Sequence, residues 1–195
     1  MTVNVLVMSG SSRSASYNRK LAAIAAQSAR AQGAQVTEVD LRELALPIYD
    51  GDIEAKGQPA GALELRRLFA AHEALIISAP EYNGFVTPLL LNALDWASRP
   101  AAGDGLPDGL GAMHGTIVGL LSASPGAYGG IRGLIALRPL LQMNLGMMIV
   151  PATQSVPRAF EAFDDQGRLK DPKQRQGVER VVAAVIRTAA ALSAG

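Results

Sequence analysis

The segment Gly10-Ser11-Ser12-Arg13-Ser14-Ala15-Ser16-Tyr17-Asn18 collects hydroxyls, one guanidinium and one amide directly ahead of a helical pattern. That set of groups suits a phosphate. The opening turn of a helix offers unpaired N–H groups and a positive dipole end, Ser11, Ser16 and Asn18 bring side-chain donors, and Arg13 brings a charge-assisted contact. The spacing is neither the glycine pattern of dinucleotide folds nor a P-loop with its lysine, so a mononucleotide phosphate is the expected ligand.

Two later segments suit the rest of such a ligand. Pro80-Glu81-Tyr82-Asn83-Gly84-Phe85 holds a tyrosine ring, an amide and a glycine, which can wall one face of a flat heterocycle and aim main-chain groups at its edge. Ser122-Ala123-Ser124-Pro125-Gly126-Ala127-Tyr128-Gly129-Gly130 lets the backbone approach a ligand closely, because its glycines carry no Cβ. Alone, each is an ordinary turn; together they form a site only if the fold brings them to one edge.

The elements around them do so. Residues 3–8 are an apolar run that ends at Ser9-Gly10, and from Tyr17 the residues Leu21, Ile24, Ala25 and Ala29 mark one helix face, closed by Gly33. Residues 35–39 alternate like a short strand, 47–61 read as a long Pro/Gly/Asp-rich loop, and 63–72 as helix. Residues 74–79 form a buried-type strand stopped by Pro80, and Leu90, Ala93, Leu94 and Ala97 stripe the next helix. Strand 116–121, loop 122–130 and helix 134–143 repeat the unit, with Pro139 bending or breaking that helix. A fifth strand spans 147–150, and Asp171-Pro172 starts a last helix whose apolar face is Val178, Val181, Val182, Val185, Ile186 and Ala189. Five strands alternating with five helices imply a parallel sheet covered on both faces, and such sheets bind ligands at the carboxyl ends of their strands. All three polar segments follow such an end.

Composition narrows the chemistry. With 195 residues, 49% of them hydrophobic, the chain is expected to be one domain over 1–195. Charge is balanced at 18 Lys+Arg against 17 Asp+Glu, so neither nucleic acid nor a membrane surface is an expected partner. There is no Cys, so thiol redox chemistry and thiolate metal sites are excluded and any redox role needs a cofactor. No basic segment precedes the short first apolar run, which reads as the first strand of a cytoplasmic protein. The two histidines, His72 and His114, lie at element boundaries, and no Gly-x-Ser-x-Gly elbow is present, which argues against a serine hydrolase. No His/Asp/Glu cluster has metal-ligand spacing.

The residues carry a family resemblance. Gly10-Ser11, Arg13, Ser16 and Asn18, then Pro80-Glu81-Tyr82-Asn83, then Asn92-Ala93-Leu94-Asp95-Trp96 with Ser98-Arg99, resemble the NADPH-dependent FMN reductases, a family that includes quinone, azo-dye and chromate reductases. The resemblance runs on through Ser124-x-Gly126, Gly129-Gly130, Arg132, Phe163-Asp164 and Gly167. It implies a flavodoxin-like three-layer sandwich with a five-stranded parallel sheet in strand order 2-1-3-4-5. It also implies that Ser11, Arg13, Ser16, Tyr17 and Asn18 cradle the FMN phosphate. Pro80, Glu81, Tyr82, Asn83 and Gly84 would line the isoalloxazine, with Ser124 and Gly126 closing its other side. NADPH or NADH would reduce the flavin, which would then pass electrons to a small-molecule acceptor in a ping-pong sequence, with no catalytic side chain and no metal. The resemblance further implies a homodimer or homotetramer with the helix around Asp95-Trp96 near the contact.

Two positions depart from the family pattern. Phe85-Val86-Thr87-Pro88 follows the Pro-Glu-Tyr-Asn motif where many relatives have Ser and Pro-Gly, and Leu91 stands where they have Lys. Phe85 is placed to narrow the acceptor pocket, and the lost lysine removes a charge from its rim. A competing reading is an FMN-binding electron carrier without efficient NAD(P)H turnover; such carriers are strongly acidic for docking, and a net charge of +1 argues against it.

Overall fold

Val5 and Val7 of strand β1 (Asn4–Ser9) face one core while Leu6 and Met8 face the other, the period-two alternation of a strand buried on both sides. The computed structural model describes residues 2–99, 105 and 109–193. Strands β2 (Gln35–Val39) and β3 (Ala74–Ser78) flank β1, and the chain then makes a two-stranded hairpin of β4 (Glu81–Tyr82) and β5 (Phe85–Val86). Strands β6 (Ile117–Ala123) and β7 (Met148–Val156) complete a five-stranded sheet in the order β2-β1-β3-β6-β7, parallel throughout. Numbering only these five strands, that is the expected order 2-1-3-4-5.

Helices α1 (Tyr17–Ala31) and α7 (Pro172–Ser193) cover one face, where Leu21, Ala25, Val181 and Val185 meet Val5, Val7 and Ile76. Helices α3 (Ala60–Ala70), α4 (Pro88–Ala97) and α5 (Ile131–Pro139) cover the other, where Phe69, Leu90 and Leu134 meet Leu6, Met8 and Ile77. Short helices α2 (Gly51–Glu54) and α6 (Ala159–Ala162) lie in the connections. The last helix begins as its sequence demands, with Asp171 Oδ1 accepting from Lys173 N at 2.9 Å and Pro172 at the first position.

Two segments differ from their sequence patterns, and a third breaks at its proline as expected. The stretch 47–61 is not all loop: Asp50 caps α2 by accepting from Asp52 N at 2.8 Å, and α3 begins at Ala60. The helix containing Pro139 is α-helical only to that residue and continues as a π-helix over Leu140–Asn144, because proline supplies no N–H to the preceding turn. The fifth strand runs past Pro151 to Val156: Ile149 sits opposite Val118 but Thr153 opposite Leu120, so the bulge absorbs the proline and pairing resumes. Among the described residues, no helix is long and apolar enough to cross a membrane.

Candidate functional site

The β1–α1 connection is drawn tight at both ends. Gly10 N donates to Ser78 O at 3.0 Å, and Thr87 Oγ1, just before α4, donates to Gly10 O at 2.6 Å. A Cβ on Gly10 would lie 3.0 Å from Leu90 Cβ, tighter than ordinary contact, so glycine lets α4 approach the turn without displacing Leu90. At the start of α1, Ser16 caps the helix by accepting from Asn18 N at 3.1 Å. Ser11 and Ser16 are buried, while Arg13 is exposed and carries no ion pair among the described residues. Among the described residues, the N–H groups of Ser12, Ser14, Ala15 and Tyr17 have no acceptor, so this end of the site presents donors and a cation.

The Asn18 side chain, expected among the phosphate donors, lines the pocket and is also bonded within the fold. It is 3% exposed, and its Nδ2 donates to Ala123 O at 2.7 Å. Its Oδ1 accepts from Ser78 Oγ at 3.0 Å and from Ala123 N at 2.9 Å. One amide thus ties the first turn of α1 to the ends of β3 and β6. The sequence shows the donor but not that its partners come from residues 60 and 105 positions away.

The second segment is a hairpin rather than an open loop. Asn83 at φ 52° and Gly84 at φ 76° form its two-residue turn, and both positive angles match the type I′ geometry that an Asn-Gly pair favours. The signal stood in the sequence. The Glu81 carboxylate turns away from the strand ends: it accepts from Gly133 N at 3.2 Å and pairs with Arg132, both on α5. Tyr82 and Phe85 stay exposed on the hairpin.

The third segment folds against the chain that leaves β7. Ser124 N donates to Val156 O at 3.1 Å, Ala159 N to Ser124 O at 3.0 Å, and Gly126 N to Ser124 Oγ at 3.2 Å. Ser11, Arg13, Ser16, Tyr17 and Asn18 share one pocket of about 70 Å³ with Pro80, Glu81, Tyr82 and Ser124. Asn83, Gly84 and Gly126 lie beyond its lining, on the hairpin turn and the adjoining loop. Behind the pocket, the Tyr17 ring stacks on Phe163 with centroids 5.8 Å apart and planes 13° apart. The strand ends therefore unite all three polar segments around a donor-lined depression.

Over residues 3–161 the chain matches the family model described as NADPH-dependent FMN reductase. The chain belongs to that family. An NAD(P)H-dependent FMN reductase of Pseudomonas aeruginosa is 32% identical over 185 residues, which are 94% of this chain and 93% of that one. A quinone reductase of Pseudomonas putida is 33% identical over 170 residues, 86% and 85% of the two chains. Among solved structures, the flavoenzyme NAD(P)H:(acceptor) oxidoreductase FerB of Paracoccus denitrificans superposes with a TM-score of 0.80 at 25% identity, covering 97% of this chain and 98% of its own.

Other family-pattern residues are structural clasps. Asn92 Oδ1 accepts from Tyr49 N at 2.7 Å, and Asn92 Nδ2 and Trp96 Nε1 both donate to Pro47 O at 2.8 Å. Trp96 is fully buried, and Tyr49 meets it edge-on at 5.0 Å. His72 is equally occupied, with Nδ1 2.6 Å from Leu68 O and Nε2 2.8 Å from Thr37 Oγ1.

Proposed function

We propose that residues 1–195 form one FMN-binding domain that takes electrons from NADPH or NADH and delivers them to a small-molecule acceptor. The observation that carries this reading is the meeting of the donor-rich turn ahead of α1, the Asn-Gly hairpin and the Ser124 loop at one edge of the sheet. The cradle fits a phosphate monoester: the free N–H groups at the start of α1, the Ser11 and Ser16 hydroxyls and the Arg13 guanidinium match its charge and acceptors. Asn18 holds that cradle in place from behind. A pocket of about 70 Å³ has room for the phosphate end of the nucleotide, so the ring is assigned to the open floor between Tyr82 and Ser124.

When bound, FMN supplies the redox chemistry, taking a hydride equivalent from the nicotinamide and returning electrons to an acceptor in a ping-pong sequence. The chain's own part is to bind and orient. Main-chain N–H groups of the Asn83-Gly84 turn are fixed by the hairpin, which lets them stabilise negative charge at the ring's edge without reorganising. Quinones head the acceptor class, in keeping with the names of the relatives, with azo compounds, metal oxyanions and free flavin in the same shallow space. Phe85 on the hairpin and Tyr128 on the loop after β6 are exposed beside this floor, which supports a homo-oligomer in which a second copy covers the ring.

Titration of the flavin-free protein with FMN, followed by anaerobic mixing with NADPH, tests the reading. Saturable binding and rapid bleaching of the flavin absorbance are expected. Arg13→Ala should weaken FMN binding about 10- to 100-fold through loss of one charge-assisted contact. Binding without bleaching would leave the electron-carrier reading, and no binding would end both.

A further inference from the structure

Arg132, at the start of α5, joins the two walls between which the ring is assigned. Its guanidinium pairs with the Glu81 carboxylate on the Asn-Gly hairpin and lies 5.4 Å from the centroid of Tyr128 on the glycine-rich loop. The Glu81 side chain is 6% exposed and also accepts from Gly133 N at 3.2 Å, so the hairpin is anchored to the first turn of α5 through a buried carboxylate. Tyr128 is 66% exposed, and among the described residues this cation is its one ring contact. The Arg132 side chain is itself 60% exposed while Glu81 is buried, so the guanidinium reaches from solvent to a carboxylate held inside the hairpin. A contact that spans two loops in this way acts on their spacing.

We propose that Arg132 is a positioning residue: bound to Glu81 and stacked on Tyr128, it fixes the separation of the hairpin and the glycine-rich loop, and with it the affinity for the ring half of the cofactor. The proposal rests on the FMN reading above. It assigns ring binding to Glu81 through its salt link rather than through contact with the flavin. Arg13 and the α1 cradle, which hold the phosphate, lie outside this link.

Arg132→Ala separates these claims. Hydrogen exchange of the peptide covering residues 80–87 in the flavin-free protein should accelerate several-fold. Binding of FMN and of riboflavin, which lacks the phosphate, should weaken by the same factor of about ten. Arg132→Lys keeps the charge beside Glu81 and loses the planar stack, so it should fall between the two. Tyr128→Ala and Glu81→Gln remove the two partners one at a time and carry the test if Arg132→Ala fails to fold. Unchanged exchange in 80–87 in any folded variant overturns the proposal, whatever FMN does. Equal FMN and riboflavin affinity in wild type and variant overturns it as well. Accelerated exchange in a protein whose wild type takes up no FMN supports the link and sinks only the functional reading.

Discussion

Replacing Asn18 by Ala should unfold this protein more readily long before it says anything about phosphate. The side chain makes three buried bonds, to Ala123 O at 2.7 Å, from Ala123 N at 2.9 Å and from Ser78 Oγ at 3.0 Å. Truncation strands both main-chain groups of Ala123 and one hydroxyl where water has little access. A buried group left unpaired costs about 1–3 kcal/mol, and partial relaxation brings the expected total to about 3–5 kcal/mol. Urea denaturation of the flavin-free protein reads this directly, since no cofactor contributes to either state. Asn18→Asp should be damaging too, because it trades the donor facing Ala123 O for a carboxylate oxygen. A midpoint change worth less than about 1 kcal/mol, together with a large loss of FMN affinity, would refute the reasoning and return Asn18 to the phosphate.

Two further outcomes follow from the geometry. Asp40 is hydrogen-bonded by Arg42 and faced by Arg19, which hold its carboxyl at about 2. A carboxyl lowered in the folded state stabilises above its unfolded value near 4 and loses that contribution as pH falls through about 2. The stability gap between wild type and Asp40→Asn should therefore be flat above about pH 5, on the order of 1 kcal/mol after solvent screening, and shrink toward pH 2 in acid titrations followed by circular dichroism. A gap that widened with acid would contradict the ion-pair account. Gly84→Ala places a Cβ at φ 76° in the type I′ turn and should cost about 1 kcal/mol, loosening the hairpin. Its signature is faster exchange confined to residues 80–87, and no change there would mean that the turn does not govern the hairpin.

The order of elements was written in the sequence because it depends on local rules: alternation at 5–8, helical spacing from Leu21 to Ala29, and the Asp171-Pro172 start each act within a few residues. The same rules placed all three polar segments after strand ends, and a parallel sheet of this order brings such ends together. Asn83-Gly84 also stood in plain view as a hairpin turn. Other features were invisible because their partners are remote in the chain and meet only when the layers pack. Asn18 reaches Ala123, Asn92 and Trp96 reach Pro47, and Glu81 reaches α5. A polar side chain announces what it can bond and not where that bond will be made. Local chemistry chose the elements; tertiary packing decided which polar groups bind the fold together and which remain free for a ligand.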